Sequence, residues 1–245
     1  PKNYAPEEIL DLPKRMASKM GIHIVVCIDE FQQVGEWTDS LTIQKRLRSV
    51  WQHQQNTSYC LFGSKKHLLT NLFQNRRMPF YHFGDTIYLT PISTDDWIPF
   101  ICGKFAEKGK TISEEFVKQI CTTVNNHSSY IQQLAWNVMV NTEQEVTDEI
   151  FQQAISELLA QSGPLFVQQI QGLTTYQMNL IRCLCQGIHK DFTSKGVLET
   201  YQLGSKSNIS RLKKTLIEKE IIEEEGDIIT LADPVFEIWF KKEYM

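Results

Sequence analysis

Apolar residues gather in this chain in two kinds of pattern. Ile24-Val25-Val26-Cys27-Ile28 and Tyr59-Cys60-Leu61-Phe62 are short unbroken runs, and residues 86–89 form a third run closed by Pro91. Short β-branched and aromatic runs bounded by turn residues predict buried strands, here over 22–28, 59–62 and 86–89. Between them, residues 38–55 place Leu41, Leu47, Val50 and Trp51 at mostly helical spacing, and 65–73 open a further helix. Residues 6–20 predict a surface helix broken or kinked at Pro13. Strand, helix, strand, helix, strand with short joins is the pattern of a parallel α/β sheet.

Past Pro91 the rhythm changes to helices. Ser93 with Asp96 is a capping box opening a helix that runs to about residue 108. Ser113 and Thr147 cap two more, each with acidic residues in its first turn, and residues 128–141 form another. Gly163-Pro164 marks a second boundary. Beyond it the pattern predicts helices over 174–186, 194–201 and 205–219, then a hairpin turning at Gly226-Asp227, then a final aromatic helix over 233–244. Three helices and a two-stranded wing describe a winged helix-turn-helix. The expected organisation is therefore a partial α/β domain (1–92), a helical lid (93–163) and a winged helix (164–245).

Composition narrows the class. The 245 residues are 42% hydrophobic and 22% charged, which is ordinary for a globular protein and unlike a disordered or coiled-coil chain. The net charge of −4 argues against a generally basic nucleic-acid coat. That charge is uneven: 11 basic and 8 acidic residues give +3 before residue 93, 4 and 10 give −6 over the lid, and 10 and 11 give −1 after it. The longest apolar run near the start falls far short of the ~20 residues of a membrane span, so no membrane role is expected. None of the six cysteines makes a C-x₂-C pair, and Cys27 and Cys60 sit in the strand runs as small hydrophobes. Reduced thiols in a cytoplasm fit better than a zinc site or a disulfide framework.

Candidate chemistry sits at the strand ends. An apolar strand ending in Asp-Glu is what a nucleotide hydrolase places opposite its phosphate loop: the Asp helps to hold Mg²⁺ and the Glu orients and polarises the attacking water. Ile24–Ile28 followed by Asp29 and Glu30 has that form. The plainer reading is that Asp29 caps the following segment. The next strand ends in Gly63-Ser64, a polar terminus beside the Asp-Glu pair, or otherwise a simple helix cap.

IVVCIDEFQQV, LFGSKKHLLTNLF, MPFYHFGDTIYLTPIS, NHSSYIQQLA and DPVFEIWF, in that order, resemble the AAA+ family of archaeal and bacterial signal-transduction ATPases, above all bacterial members ending in a winged helix. The resemblance covers essentially the whole chain. It implies ATP and Mg²⁺ as ligands of the intact protein, Asp29 as the Walker B magnesium ligand through water, Glu30 as catalytic base and Ser64 as sensor 1. Two departures stand out. The phosphate loop G-x-x-x-x-G-K-[ST] does not occur in the sequence; in the family it precedes these strands, so the chain, which begins at Pro1, is expected to be the C-terminal part of a longer protein with negligible ATP affinity by itself. Where many relatives have Gly-Arg, this chain has Gly84-Asp85, leaving Arg76 and Arg77 as candidates for an arginine finger or as plain solvated cations. His127, at the start of a lid helix, is a candidate nucleotide or lid contact, with a local cap as the alternative.

In the winged helix, residues 205–219 put Ile209, Leu212 and Leu216 on one face and Ser207, Arg211, Lys214 and Glu218 opposite, with Asn208 alongside. Ser207, Asn208, Arg211 and Lys214 are candidate DNA contacts. Glu223, Glu224 and Glu225 on the wing would repel DNA, so a protein-contact or self-inhibitory module is the competing reading. Three functions follow: an ATP-driven signalling switch, a winged-helix transcription regulator with a vestigial ATPase part, or an interaction scaffold. All three allow a homo-oligomer.

Overall fold

A computed structural model describes residues 5–245, the side chain of His67 excepted. Residues 1–4, with which the expected α/β part begins, lie outside the described residues. The chain folds as two compact units, one ending at Leu89 and one running from Thr90 to Met245.

The first unit opens with α1 (Pro6–Leu10) and α2 (Leu12–Met20). The expected single helix breaks at Asp11, and Pro13 falls in the first turn of α2, where its missing N–H would have no intrahelical partner. Gly21, at φ +66°, ends α2 in the left-handed cap that glycine adopts without cost. There follow β1 (Ile24–Ile28), a 3₁₀ turn (Phe31–Gly35), α3 (Ser40–Trp51), β2 (Thr57–Leu61) and α4 (Lys66–Gln74). The strands are parallel, registered from Ile24 opposite Thr57 to Ile28 opposite Leu61.

The strands are not buried on both faces as their composition predicts. Ile28, Tyr59 and Leu61 pack on a core of Phe31, Val34, Trp51, Leu72 and Phe80. The opposite face carries Val25, Cys27, Ser58 and Cys60, all exposed. Apolar residue types occupy both faces of these strands, so the residue pattern could not reveal that only one is covered. Cys27 and Cys60 are therefore not core hydrophobes. The third predicted strand is a second correction: residues 86–89 form no strand, and Ile87 and Leu89 are 82% and 92% exposed. A β-prone run becomes a strand only when a neighbouring edge takes its N–H and C=O groups, and among the described residues none does.

The second unit comprises α5 (Thr94–Ala106), α6 (Glu114–Thr123), α7 (Ser128–Asn141), α8 (Asp148–Ile170), α9 (Thr175–Cys185), α10 (Lys195–Thr200), α11 (Lys206–Glu218), the antiparallel hairpin β3 (Ile222–Glu225) and β4 (Ile228–Leu231), and α12 (Pro234–Tyr244). Ser93, Ser113 and Thr147 each accept the N3 amide of the helix they open. Thr174 and Gln177 close a reciprocal capping box on α9.

Gly163-Pro164 does not interrupt the backbone helix. Both residues lie inside the 23-residue α8, which continues to Ile170. A proline there removes one helical hydrogen bond, at a cost of about 3 kcal/mol in an isolated helix. Packing offsets it: Phe166, fully buried, meets Phe236 edge-on at 5.4 Å and Trp239 at 5.5 Å between ring centroids. One hydrophobic core thus runs from Trp97 on α5 to Phe240 on α12. The Tyr130 hydroxyl of α7 donates to Asp233, whose other oxygen accepts the Val235 and Phe236 amides that open α12.

Candidate functional site

Side chains 34 residues apart in sequence meet at the C-terminal ends of β1 and β2. The parallel ladder continues past the strands, because the Phe62 amide donates to the Ile28 carbonyl (3.1 Å) and the Phe31 amide donates to the Phe62 carbonyl (3.0 Å). These two bonds fix the loop after each strand relative to the other. The Ser64 hydroxyl then lies 3.2 and 3.4 Å from the two carboxylate oxygens of Glu30, donating to them. Asp29 accepts the Glu30 amide at 2.8 Å through one carboxylate oxygen.

Glu30 is held in an unusual way. Its backbone is left-handed (φ 50°, ψ 38°), a region that costs a residue with a side chain roughly 1–3 kcal/mol and persists where surroundings over-determine it. The following 3₁₀ turn, in which the Gln33 amide donates to the Glu30 carbonyl, supplies that constraint. Gln32, only 2% exposed, donates its amide to the Glu30 carboxylate. Its carbonyl oxygen is buried without a hydrogen-bond partner. Gly63 is what makes room for it, since a Cβ at that position would stand 1.8 Å from the Gln32 oxygen. Sequence reasoning missed both Gln32 and Gly63; a glycine at a strand end, where another group approaches the backbone closely, was the available signal.

The cleft beside this cluster measures ≈160 Å³ and is lined by Glu30, Gln32, Gln33, Glu36, Trp37 and Lys65. Pockets that enclose a small ligand run from about 300 Å³ upward, so this one holds a carboxylate in position without enclosing a nucleotide. Asp29, Glu30 and Ser64 offer oxygen donors only, the set that suits Mg²⁺, which keeps several waters and uses one or two carboxylates together with phosphate oxygens.

The structure also disposes of a Gly-Lys-Thr tripeptide that sequence reasoning passed over. Gly109-Lys110-Thr111 lacks the phosphate-loop spacing, and its backbone is already spent. The Gly109, Lys110 and Thr111 amides donate to Ala106, Phe105 and Gln144 carbonyls, and the Lys110 ammonium donates to the Met139 carbonyl at 2.8 Å. It is a helix terminus with no amide left to cradle phosphate.

The other candidates are scattered. Arg76 and Arg77 are exposed in the segment after α4. The arginine that organises this segment is Arg48, which donates to the Pro79 and Tyr81 carbonyls and lies over the Phe83 ring. His127 is the exposed N-cap residue of α7, makes no side-chain cap, and sits 4.8 Å from the Tyr130 ring. On α11, Ser207, Arg211 and Lys214 are exposed and Asn208 is half-buried. Asn208 donates to the Leu203 carbonyl and accepts from Arg211, while Lys214 pairs with Glu218 at 3.8 Å. Ser207, Asn208 and Arg211, together with Tyr176, Gly204 and Ser205, line an open cleft of ≈380 Å³. Tyr176 was not anticipated. On the wing, Glu224 is paired with Lys213 at 3.0 Å.

No helix among the described residues is long and apolar enough to cross a membrane. Among those residues no three His, Cys, Asp or Glu side chains gather as a metal cluster would.

Comparison with known proteins bears on the two ends of the chain differently. Residues 164–242 match a family model described as "Probable winged helix domain". None of the curated proteins matches the sequence. Among solved structures, the chain is similar to the Walker-type ATPase PABY2304 of Pyrococcus abyssi (TM-score 0.74, 15% identity, 98% of this chain and 69% of that one). It is also similar to the Aeropyrum pernix ORC2 protein, solved as ADPNP–ADP complexes (TM-score 0.57, 12% identity, 98% and 71%). At these identities the likeness establishes fold alone: a small parallel α/β sheet with its helices, a helical region, and a C-terminal winged helix.

Proposed function

We propose that the chain carries the Walker B and sensor 1 part of an ATP-dependent AAA+ switch of the signal-transduction ATPase type, with a lid over 93–163 and a winged-helix output module. The observation that carries this reading is the convergence of Asp29, Glu30 and Ser64 on neighbouring parallel strand ends, with the Ser64 hydroxyl on the Glu30 carboxylate. The fold shared with a Walker-type ATPase and with a protein solved with ADPNP and ADP supports it.

In this reading Asp29 would hold Mg²⁺ through water, and the ion would supply charge neutralisation at the phosphates of bound ATP. Glu30 accepts a proton from the attacking water and holds it at a carboxylate oxygen. Gln32 fixes the rotamer of that carboxylate from beneath. Ser64 exchanges its bond to Glu30 for one to the γ-phosphate or the water, so its position reports whether the terminal phosphate is present. Turnover is slow, and the nucleotide acts as a signal. Arg76 or Arg77 serves as the finger, and His127 as the lid contact.

Calorimetry and steady-state turnover on the intact protein test this. Glu30→Gln should keep ATP binding and lower kcat by about 10²-fold or more, the range for losing a positioned base. No ATP binding by the intact protein, with turnover unchanged in Glu30→Gln, would sink the proposal. The 245-residue chain alone is expected to bind ATP negligibly, and micromolar binding by it would overturn that part.

A second reading has its own observation: exposed Arg211 and Lys214 on the second long helix of a segment that matches a winged helix domain. A DNA-binding regulator with an idle ATPase part should give a gel shift that survives Asp29→Ala and disappears in Arg211→Ala. The absence of any shift favours a protein-contact role for the Glu-rich wing.

A further inference from the structure

The match to a winged helix domain begins at residue 164, and that position lies inside α8. The joint between the winged helix and the helices before it is therefore a stretch of helix that carries Gly163 and Pro164. Pro164 has no N–H to give the Ala160 carbonyl, and Gly163 lacks the side chain that restrains a helix backbone, so α8 bends there at least cost. Bending at that point leaves the aromatic packing beyond it intact. Phe166, Phe236 and Trp239, whose ring centroids lie 5.4–5.8 Å apart, all follow Gly163 in the chain and travel together.

A side-chain bond crosses the same joint outside α8. The Tyr130 hydroxyl, in the first turn of α7, donates to one carboxylate oxygen of Asp233, the N-cap residue of α12. The other oxygen accepts the Val235 amide at 2.8 Å and the Phe236 amide at 3.0 Å. Both side chains belong to half-buried residues, where water weakens a bond to a carboxylate less than at the surface. The cap holds the Asp233 carboxylate in place, which gives Tyr130 a fixed acceptor on the far side of the joint.

We propose that Gly163-Pro164 is a hinge for the winged helix and that the Tyr130–Asp233 bond is the latch that fixes its orientation. The inference stands on the winged-helix match and these contacts and is independent of the ATPase reading. Pivoting about the hinge breaks the latch and the close approach of Trp239 to Gly163, and leaves the packing on each side whole. The His127 ring is 4.8 Å from the Tyr130 ring, so a ligand that engages the start of α7 acts beside the latch.

The test is amide hydrogen exchange on the folded 245-residue chain. By helical geometry the amides of Leu165, Phe166 and Val167 bond back to Gln161, Ser162 and Gly163, so they report opening of the hinge. Tyr130→Phe removes the latch hydroxyl and keeps both the ring and the Asp233 cap of α12. Losing a hydrogen bond to a charged group should speed exchange at these amides about 10-fold or more. Amides of Leu134–Val138 in α7 and of Leu180–Leu184 in α9, on either side of the joint, should keep their protection. Pro164→Ala supplies the missing donor to Ala160 and, combined with Tyr130→Phe, should restore the parent's protection. Circular dichroism checks that the variants keep their helix content. Unchanged exchange at residues 165–167 in Tyr130→Phe overturns the latch. An equal loss of protection across α7, α9 and the joint overturns the hinge, because the bond then serves only general stability. A double variant that exchanges as fast as Tyr130→Phe alone overturns it as well.

Discussion

Gly63→Ala is the sharpest probe of how Glu30 is held. Gly63 does not have a positive φ, so alanine meets no backbone penalty, and the whole effect is contact. The added Cβ would lie 1.8 Å from the Gln32 side-chain oxygen and 2.9 Å from its carbonyl carbon. Real contacts do not approach that closely, so the Gln32 side chain must leave. It is 2% exposed, so leaving means either overpacking, at about 1–3 kcal/mol, or losing the bond to a charged carboxylate, at about 1.5–3 kcal/mol. A loss of about 2 kcal/mol corresponds to about a 30-fold rise in local opening.

Because the chain has two compact units, a global melting curve would blend them, and amide hydrogen exchange is the suitable assay. The Phe62 and Phe31 amides, which tie the two strand ends together, should lose about 30-fold in protection in Gly63→Ala, while amides of α7 and α8 in the second unit should not change. Gln32→Ala placed in the same chain should recover most of that loss, giving a coupling of about 2 kcal/mol. Unchanged protection in Gly63→Ala, or a double variant as unprotected as the single one, refutes the account of Gln32 as the prop beneath Glu30.

Two helical glycines should respond in the opposite sense. Gly103 in α5 has open space around the Cβ position, and a Cβ at Gly163 in α8 would meet Trp239 at 3.5 Å, an ordinary contact. Each Gly→Ala change should stabilise the second unit by about 0.5–1 kcal/mol, read as a higher urea midpoint; a lower midpoint for Gly163→Ala would mean that the Trp239 packing is tighter than described. A pH dependence follows from Tyr130. Burial, and then its bond to Asp233, push its phenol far above the ordinary value of 10.0. The folded state keeps the proton where the unfolded chain releases it, so this contribution is complete below pH 10 and declines as pH rises above that value. Tyr130→Phe should flatten the fall in stability at alkaline pH relative to the parent chain, and identical alkaline slopes would refute the assignment.

What the sequence revealed of this fold tracks how local each determinant is. Ser113, Thr147 and the Thr174–Gln177 pair specify their helix starts within four residues, and the structure puts a cap at each. The wing turn at Gly226 is equally local. Failures came where the decision belongs to distant atoms. Gly163-Pro164 has the composition of a break, yet α8 runs through it because Phe166 beyond the proline is locked among Phe236 and Trp239, some seventy residues further along the chain. Residues 86–89 have the composition of a strand, yet a strand needs a neighbour's edge.

The candidate site divides along the same line. Asp29, Glu30 and Ser64 were legible because strand ends carry their own signature: an apolar run that stops abruptly at a charged or polar residue. Their mutual geometry was legible only as an expectation, because it depends on register, and a one-residue slip of β2 against β1 would send Cys60 to the core and Tyr59 to solvent. What fixes the register is aromatic packing on one face, with Trp51 stacked on Tyr59 at 4.2 Å and Phe31 edge-on to Phe80 at 5.4 Å. The same anchoring therefore aligns Glu30 with Ser64 across the two strand ends. A variant that disturbs it, such as Tyr59→Ala, should lower the hydrogen-exchange protection of the Phe31 and Phe62 amides that tie the two strand ends together. Unchanged protection at both amides would mean that the stack of Trp51 on Tyr59 does not set the register.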